Sequence, residues 1–210
     1  MKDFLKKVLL FSVLVFAVVE LFIRFSHLTI DVPQREITVE GIQKYIPNQS
    51  GYWSNASHKW IINKYGWPVE APDSMKNLIT LIGDSHIENF MNSSNCQPSY
   101  FLKEMNPTYN FLQMGRSGAS LIEYLEFSKY AQKEYSPIQQ IIFVKENDFP
   151  ESIRNVSVKD DVTQIDIKTG KIFKGKMRSP RLKKIIYNVK TIYYFKDKVK
   201  FKTLKKIVKK

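Results

Sequence analysis

Residues 78–88 read LITLIGDSHIE. Five residues dominated by apolar and β-branched side chains run into Gly83, and Asp84, Ser85 and His86 follow. A short unbroken apolar run that stops at glycine marks a strand buried on both faces, as in a parallel sheet. Ser85 stands three residues before Glu88, the spacing of a helix capping box. It also stands at the end of a buried strand, where a nucleophile would sit. Two roles, cap and catalyst, therefore meet at one residue.

The same rhythm repeats downstream. YNFLQ (109–113) ends just before Gly115, and IIFV (141–144) ends just before Asn147. HIENFMN (86–92) and residues 99–105 suggest helical turns, and SLIEYLEFSKYAQKEY (120–135) a helix with Leu121, Tyr124, Leu125 and Ser128 on one face. Strand–helix alternation predicts parallel strands with right-handed crossovers, an α/β sheet in three layers. After residue 150 the rhythm changes. TQIDIKTGKIFKG (163–175) reads as a hairpin around Thr169-Gly170. Ser179-Pro180 then opens a basic amphipathic helix carrying Leu182, Ile185, Ile186, Val189, Ile192 and Tyr193 at helical spacing.

The N-terminus belongs to a different class. VLLFSVLVFAVVELFI (8–23) is apolar except for Ser12 and Glu20, and with its flanks approaches the ~20 residues that span a bilayer. It lacks the polar face of a core helix. Glu20 lies near the far end with Arg24 at i+4 as a partner. Lys2, Lys6 and Lys7 precede it, so the positive-inside rule predicts a cytoplasmic N-terminus and an extracytoplasmic main domain. A cleavable signal peptide is the alternative. The run is long for one, and no Ala-x-Ala-like site follows.

Residues 27–76, with Pro33, Pro47, Pro68 and Pro72, read as a loop-rich connector with one or two short strands. Its Trp53, Trp60 and Trp67 are expected to pack it onto the domain, with sugar stacking as the other role. The expected organisation is an anchor (1–26), a connector (27–76), an α/β core (77–150), a hairpin insertion (151–178) and a basic C-terminal helix or tail (179–210).

Charge and metal ligands narrow the function classes. Residues 151–210 carry 19 Lys and Arg against 5 Asp and Glu, whereas residues 1–150 carry 14 against 15. The whole net charge of +13 thus belongs to the tail, and no nucleic-acid partner is expected. Cys96 is the single cysteine and the three histidines (His27, His58, His86) lack metal-ligand spacing, so neither a metal nor an organic cofactor is expected.

Ser85, Gly115 and Asn147 fall at three successive strand ends, where open parallel sheets place their active crevice. Acyl transfer needs a nucleophile and preorganised oxyanion donors. Ser85 supplies a hydroxyl and its own N–H, Gly115 a second N–H, and Asn147 a side-chain N–H. These blocks resemble the SGNH, or GDSL-type, hydrolases: LIGDSH the first block, NFLQMGRSG (110–118) the second, VKEND (144–148) the third. The resemblance implies a flavodoxin-like fold with Ser85 as nucleophile and Gly115 and Asn147 as oxyanion residues. With the apolar segment and INKYGW (62–67) upstream, it is similar to membrane-anchored members that act on acyl esters of cell-envelope glycans, as esterases or O-acyltransferases. Two departures stand out. Lys145 occupies the third block's usual glycine, and no Asp-x-x-His block follows Asn147, so the family's fold is expected to be incomplete here. The base is then expected from His58 or a partner chain. The alternatives are a truncated or inactive relative, or a membrane-anchored binding protein that docks through its basic C-terminal helix on anionic lipid or polymer.

Overall fold

The computed structural model describes residues 1–54, 57–177 and 179–198. In chain order the elements are α1 (Lys2–Phe25), β1 (Arg35–Ile37), β2 (Gln43–Tyr45), β3 (Gln49–Tyr52), β4 (Lys59–Ile62), β5 (Leu78–Gly83), α2 (Ser85–Glu88), α3 (Pro98–Met105), β6 (Asn110–Gly115), α4 (Leu121–Tyr135), β7 (Gln139–Ile142), α5 (Asp148–Ser152), β8 (Gln164–Ile165), β9 (Ile172–Phe173), α6 (Pro180–Asn188) and α7 (Lys190–Lys198). They group into two compact units. One gathers Met1–Val32 with the described parts of Tyr52–Ser57 and Ser179–Lys210; the other gathers Pro33–Gly51 and His58–Arg178.

In the first unit, α1 is long and apolar enough to cross a membrane. Almost all its side chains are exposed, Ile23 being buried. The single basic helix expected from residue 179 is instead two, α6 and α7, with Val189 in an extended conformation between them. Glu20 explains the break. Its carboxylate accepts the N–H groups of Lys190 (2.9 Å) and Thr191 (2.7 Å) and the Thr191 hydroxyl (2.9 Å). A side chain from α1 thus caps the start of α7 and satisfies N–H groups a helix leaves open. The tail beyond residue 198 lies outside the described residues.

The second unit is built on a parallel sheet of order β6-β5-β7. Every residue of central β5 is buried. Alternation sends Leu78 and Ile82, with Leu112 and Met114 of β6, to one face, where they meet Tyr124, Phe127 and Ala131 of α4. Ile79 and Leu81, with Phe111, pack on the other face against Ile87 of α2 and Leu102 of α3. Helices on both faces make the three expected α/β layers. The chain leaves β5 toward one edge over one face and returns from β6 to the other edge over the opposite face, as a constant crossover hand requires.

Several expectations change in detail. The buried stripe of α4 is Glu123, Tyr124, Phe127 and Ala131 rather than Leu121, Tyr124, Leu125 and Ser128, and Leu125 is exposed. Phe127 takes the core position because Trp67 from the connector fills the space beside it, ring centroids 5.2 Å apart. The third strand stops at Ile142, two residues early. The connector holds four short strands in two pairs, β1 with β2 antiparallel and β3 with β4, and buries Trp60 and Trp67. INKYGW forms the turn that delivers Trp67: Asn63 Oδ1 accepts the N–H groups of Tyr65 (2.9 Å) and Trp67 (3.3 Å). Gly66, at φ +82°, lies against the Tyr45 carbonyl where a side chain would collide. The hairpin around Gly170 forms, pairing Gln164 with Phe173.

The position of the α4 stripe is checked by two truncations. Phe127→Ala should cost about 3–5 kcal/mol, and Leu125→Ala no more than ~0.5 kcal/mol. Denaturant unfolding of the full chain in detergent, followed by tryptophan fluorescence, reads the difference.

Candidate functional site

The loop after β5 turns at once into α2, a single helical turn. Asp84 is its N-cap and accepts the His86 N–H at 2.9 Å. Asn89, left-handed at φ 50°, ends it. The capping box read between Ser85 and Glu88 does not form. Ser85 is the first helical residue, so its N–H has no intrahelical acceptor. Glu88 turns inward and accepts the Ser117 N–H at 2.6 Å. With its cap role taken by Asp84, the half-buried Ser85 hydroxyl has one neighbour of note, Asp84 Oδ2 at 3.5 Å.

That same oxygen meets Lys145 Nζ at 2.6 Å. Lys145 arrives from beyond β7, in a turn closed by its N–H to Asp148 Oδ2 (2.7 Å) and by the Asp148 N–H to its carbonyl (3.0 Å). The ion pair bridges the ends of β5 and β7, the switch point of a sheet with this order. Burial opposes charge on Asp84, but the Lys145 ammonium and the His86 N–H outweigh it and hold the carboxyl below its usual range. The Tyr124 side chain is buried in the core below this end of the sheet, near Asp84 and Asp148. Burial, with the charges of Asp84 and Asp148, pushes its ionisation far up.

Gly115 is paired with Gly83 at the end of β6. The Arg116 N–H closes the ladder on the Gly83 carbonyl at 3.2 Å, so the Gly115 N–H faces away from β5. A Cβ on Gly115 would strike the Ile87–Glu88 peptide; the glycine is what lets α2 lie on the sheet end. Asn147 is exposed, five residues past the end of β7 rather than at it, and begins α5 without a side-chain cap. The strand ends collect Ser85, Asp84 and Lys145; contacts that would seat Asn147 beside Ser85 are absent among the described residues.

None of the histidines bonds to Ser85. His58 Nε2 lies 3.4 Å from the Phe90 carbonyl, His86 is exposed, and His27 stacks on Tyr52 in the other unit, centroids 3.8 Å apart. Among the described residues no cluster of His, Cys, Asp or Glu is placed to hold a metal. A cleft of about 370 Å³, lined by Glu70, Asp73, Tyr100, Lys103 and Phe111, lies at the start of β6, away from Ser85.

Beneath α2 sits a polar cluster that sequence reading missed. Glu88 accepts from the Tyr45 hydroxyl and the Ser117 N–H. Arg35 bonds the Ser117 carbonyl at 3.2 Å. Arg116 pairs with Glu123, both almost wholly buried, and Ser120 and Glu123 close the capping box that starts α4. One signal was present, Ser120-x-x-Glu123; nothing local marked Glu88 as buried.

No protein-family model matches this chain, and no curated protein or solved structure matches it.

Burial pushes the Glu88 carboxyl up to about 7, against the Ser117 N–H and the charges of Arg35 and Arg116. A pKa raised by folding favours the folded state fully below about pH 4.5, and that contribution is lost as pH rises through about 7. Wild-type stability should therefore fall over this window relative to Glu88→Gln, by on the order of 3 kcal/mol. Unfolding free energies of both proteins from pH 4 to 8 give the comparison.

Proposed function

We propose that this chain is a membrane-anchored, SGNH-like serine esterase or O-acyltransferase acting on acyl esters of cell-envelope glycans, with its N-terminus cytoplasmic and its second unit extracytoplasmic. The observation that carries the reading is Ser85: first residue of the turn at the end of the central, fully buried strand, its hydroxyl released from capping and set at the switch point. Such a hydroxyl is presented to the crevice by the rigid sheet rather than by a loop, which favours reproducible attack geometry. In the proposed step Ser85 Oγ adds to the ester carbonyl and the alcohol leaves, giving an acyl-serine. The Ser85 N–H is the proposed oxyanion donor already at the turn; Gly115, whose N–H faces away from β5 here, and Asn147 are proposed to join it after their segments adjust to substrate.

The serine proton needs an acceptor. Lys145 Nζ is engaged by the Asp84 carboxylate at 2.6 Å, which holds its ammonium on Asp84 rather than on the Ser85 hydroxyl. The base is proposed to be a histidine of a partner chain. Imidazole in solution substitutes for it chemically, which makes the reading testable on this chain alone. The full chain in detergent, given an activated acetyl ester at pH 7.5 and increasing imidazole, should hydrolyse at least tenfold faster than Ser85→Ala under the same conditions. Equal rates at every imidazole concentration would overturn the assignment of Ser85 as nucleophile.

A further inference from the structure

Glu20 and Arg24 tie the C-terminal helices to the end of α1 by more than the capping of α7. Arg24 bonds Glu20 at 2.6 Å and the Asn188 carbonyl, the last of α6, at 2.5 Å. Lys190, itself buried, reaches Asp31 at 2.5 Å and the Ile30 carbonyl at 3.0 Å. The junction between α6 and α7 is therefore fixed against the last two turns of α1 and the chain just after it. Glu20 lies about 7 Å before the end of α1, at 1.5 Å per residue. That equals the depth at which an amphipathic helix rests in a headgroup layer, about 5–10 Å.

What this junction holds outward is amphipathic. Leu182 and Ile185 on α6 and Ile192 and Phe195 on α7 are all exposed. Around them stand Arg181, Lys183, Lys184, Lys196 and Lys198, with Asp197 as the one acidic residue of the two helices. The helices brace each other through Tyr187 and Tyr193, ring centroids 5.3 Å apart. Lys198 pairs with Asp197 at 3.5 Å and Lys196 lies over the Tyr187 ring; exposed apolar side chains among an excess of cations, pinned beside an apolar helix end, match a bilayer surface in both chemistry and position.

We propose that α6 and α7 form a foot lying in the headgroup layer of the bilayer that α1 crosses, with Leu182 and Ile185 entering the acyl boundary and Arg181, Lys183 and Lys184 on anionic lipid phosphates. The proposal rests on the reading of α1 as a membrane anchor. The occupant is lipid because the clamp leaves these side chains at the depth of the bilayer surface around α1.

The test uses the full chain in nanodiscs with Cys96→Ser and one nitroxide, at Phe11→Cys on α1 or at Leu182→Cys on α6. With phosphatidylglycerol present, both labels should be accessible to oxygen and protected from a water-soluble nickel chelate. Protection at Leu182 should fall at least twofold in pure phosphatidylcholine, and again when Glu20→Gln weakens the clamp. A Leu182 label open to the chelate while Phe11 stays protected would overturn the foot and leave the anchor standing. A Phe11 label open to the chelate would overturn the anchor, and the foot with it.

Discussion

Where Gly115 ends its strand, the Ile87–Glu88 peptide lies in the space that a side chain would occupy. A four-residue helix has no stability of its own, so its position is set from outside. The Gly115 contact admits it, the Asp84 carboxylate caps it, and Gln113, buried in β6, donates to the Ile87 carbonyl and reaches Gln97 beyond. From there the constraint spreads. Glu88 is carried inward to Ser117, and the neighbouring Arg116 is committed to Glu123. Ser120 closes on α4 and also donates to the Thr163 carbonyl, which brings in the hairpin region.

This arrangement places buried charge beneath the Asp84–Lys145 ion pair. Buried ion pairs such as Arg116–Glu123 are costly to desolvate and stabilise only when their remaining valences are filled. Here the Glu123 carboxylate also takes the Ser120 N–H at 3.0 Å. Among the described residues the Arg116 Nε has no hydrogen-bond partner, so there the network is not fully satisfied. Asp84 and Lys145 form the complementary layer nearer solvent, with the Lys145 side chain about half exposed. A glycine at residue 145 would leave the Asp84 carboxylate without its cation; the lysine neutralises it.

The sheet was legible because burial on both faces writes itself into a sequence as continuous apolar runs, as in Leu78–Ile82. Strand β7 was placed two residues late because the apolar Phe143 and Val144 extend the run past the last pairing and are in fact exposed. The face of α4 was misread for a different reason. Its partner is Trp67, more than fifty residues upstream, and no local periodicity reveals which of two overlapping stripes a distant indole will cover. Ser85 and Glu88 at capping spacing were a true local signal overridden by a better cap one residue earlier. Glu88 then had a tertiary use, in contact with Tyr45 and Ser117, that only the folded chain discloses. Asn147 sat at the expected interval from Gly115, but spacing along a chain does not fix where a side chain points.

The Glu20 clamp sets an order on synthesis. The residues that satisfy the Glu20 carboxylate lie 170 and 171 positions later. At a synthesis rate of about 5–20 residues per second, roughly 10–30 s separate α1 from these partners. During that interval Arg24 is the nearest compensating charge for a carboxylate in an apolar segment. The Glu20 carboxylate on α1 is therefore fully partnered only after residues 190 and 191 have emerged and folded back.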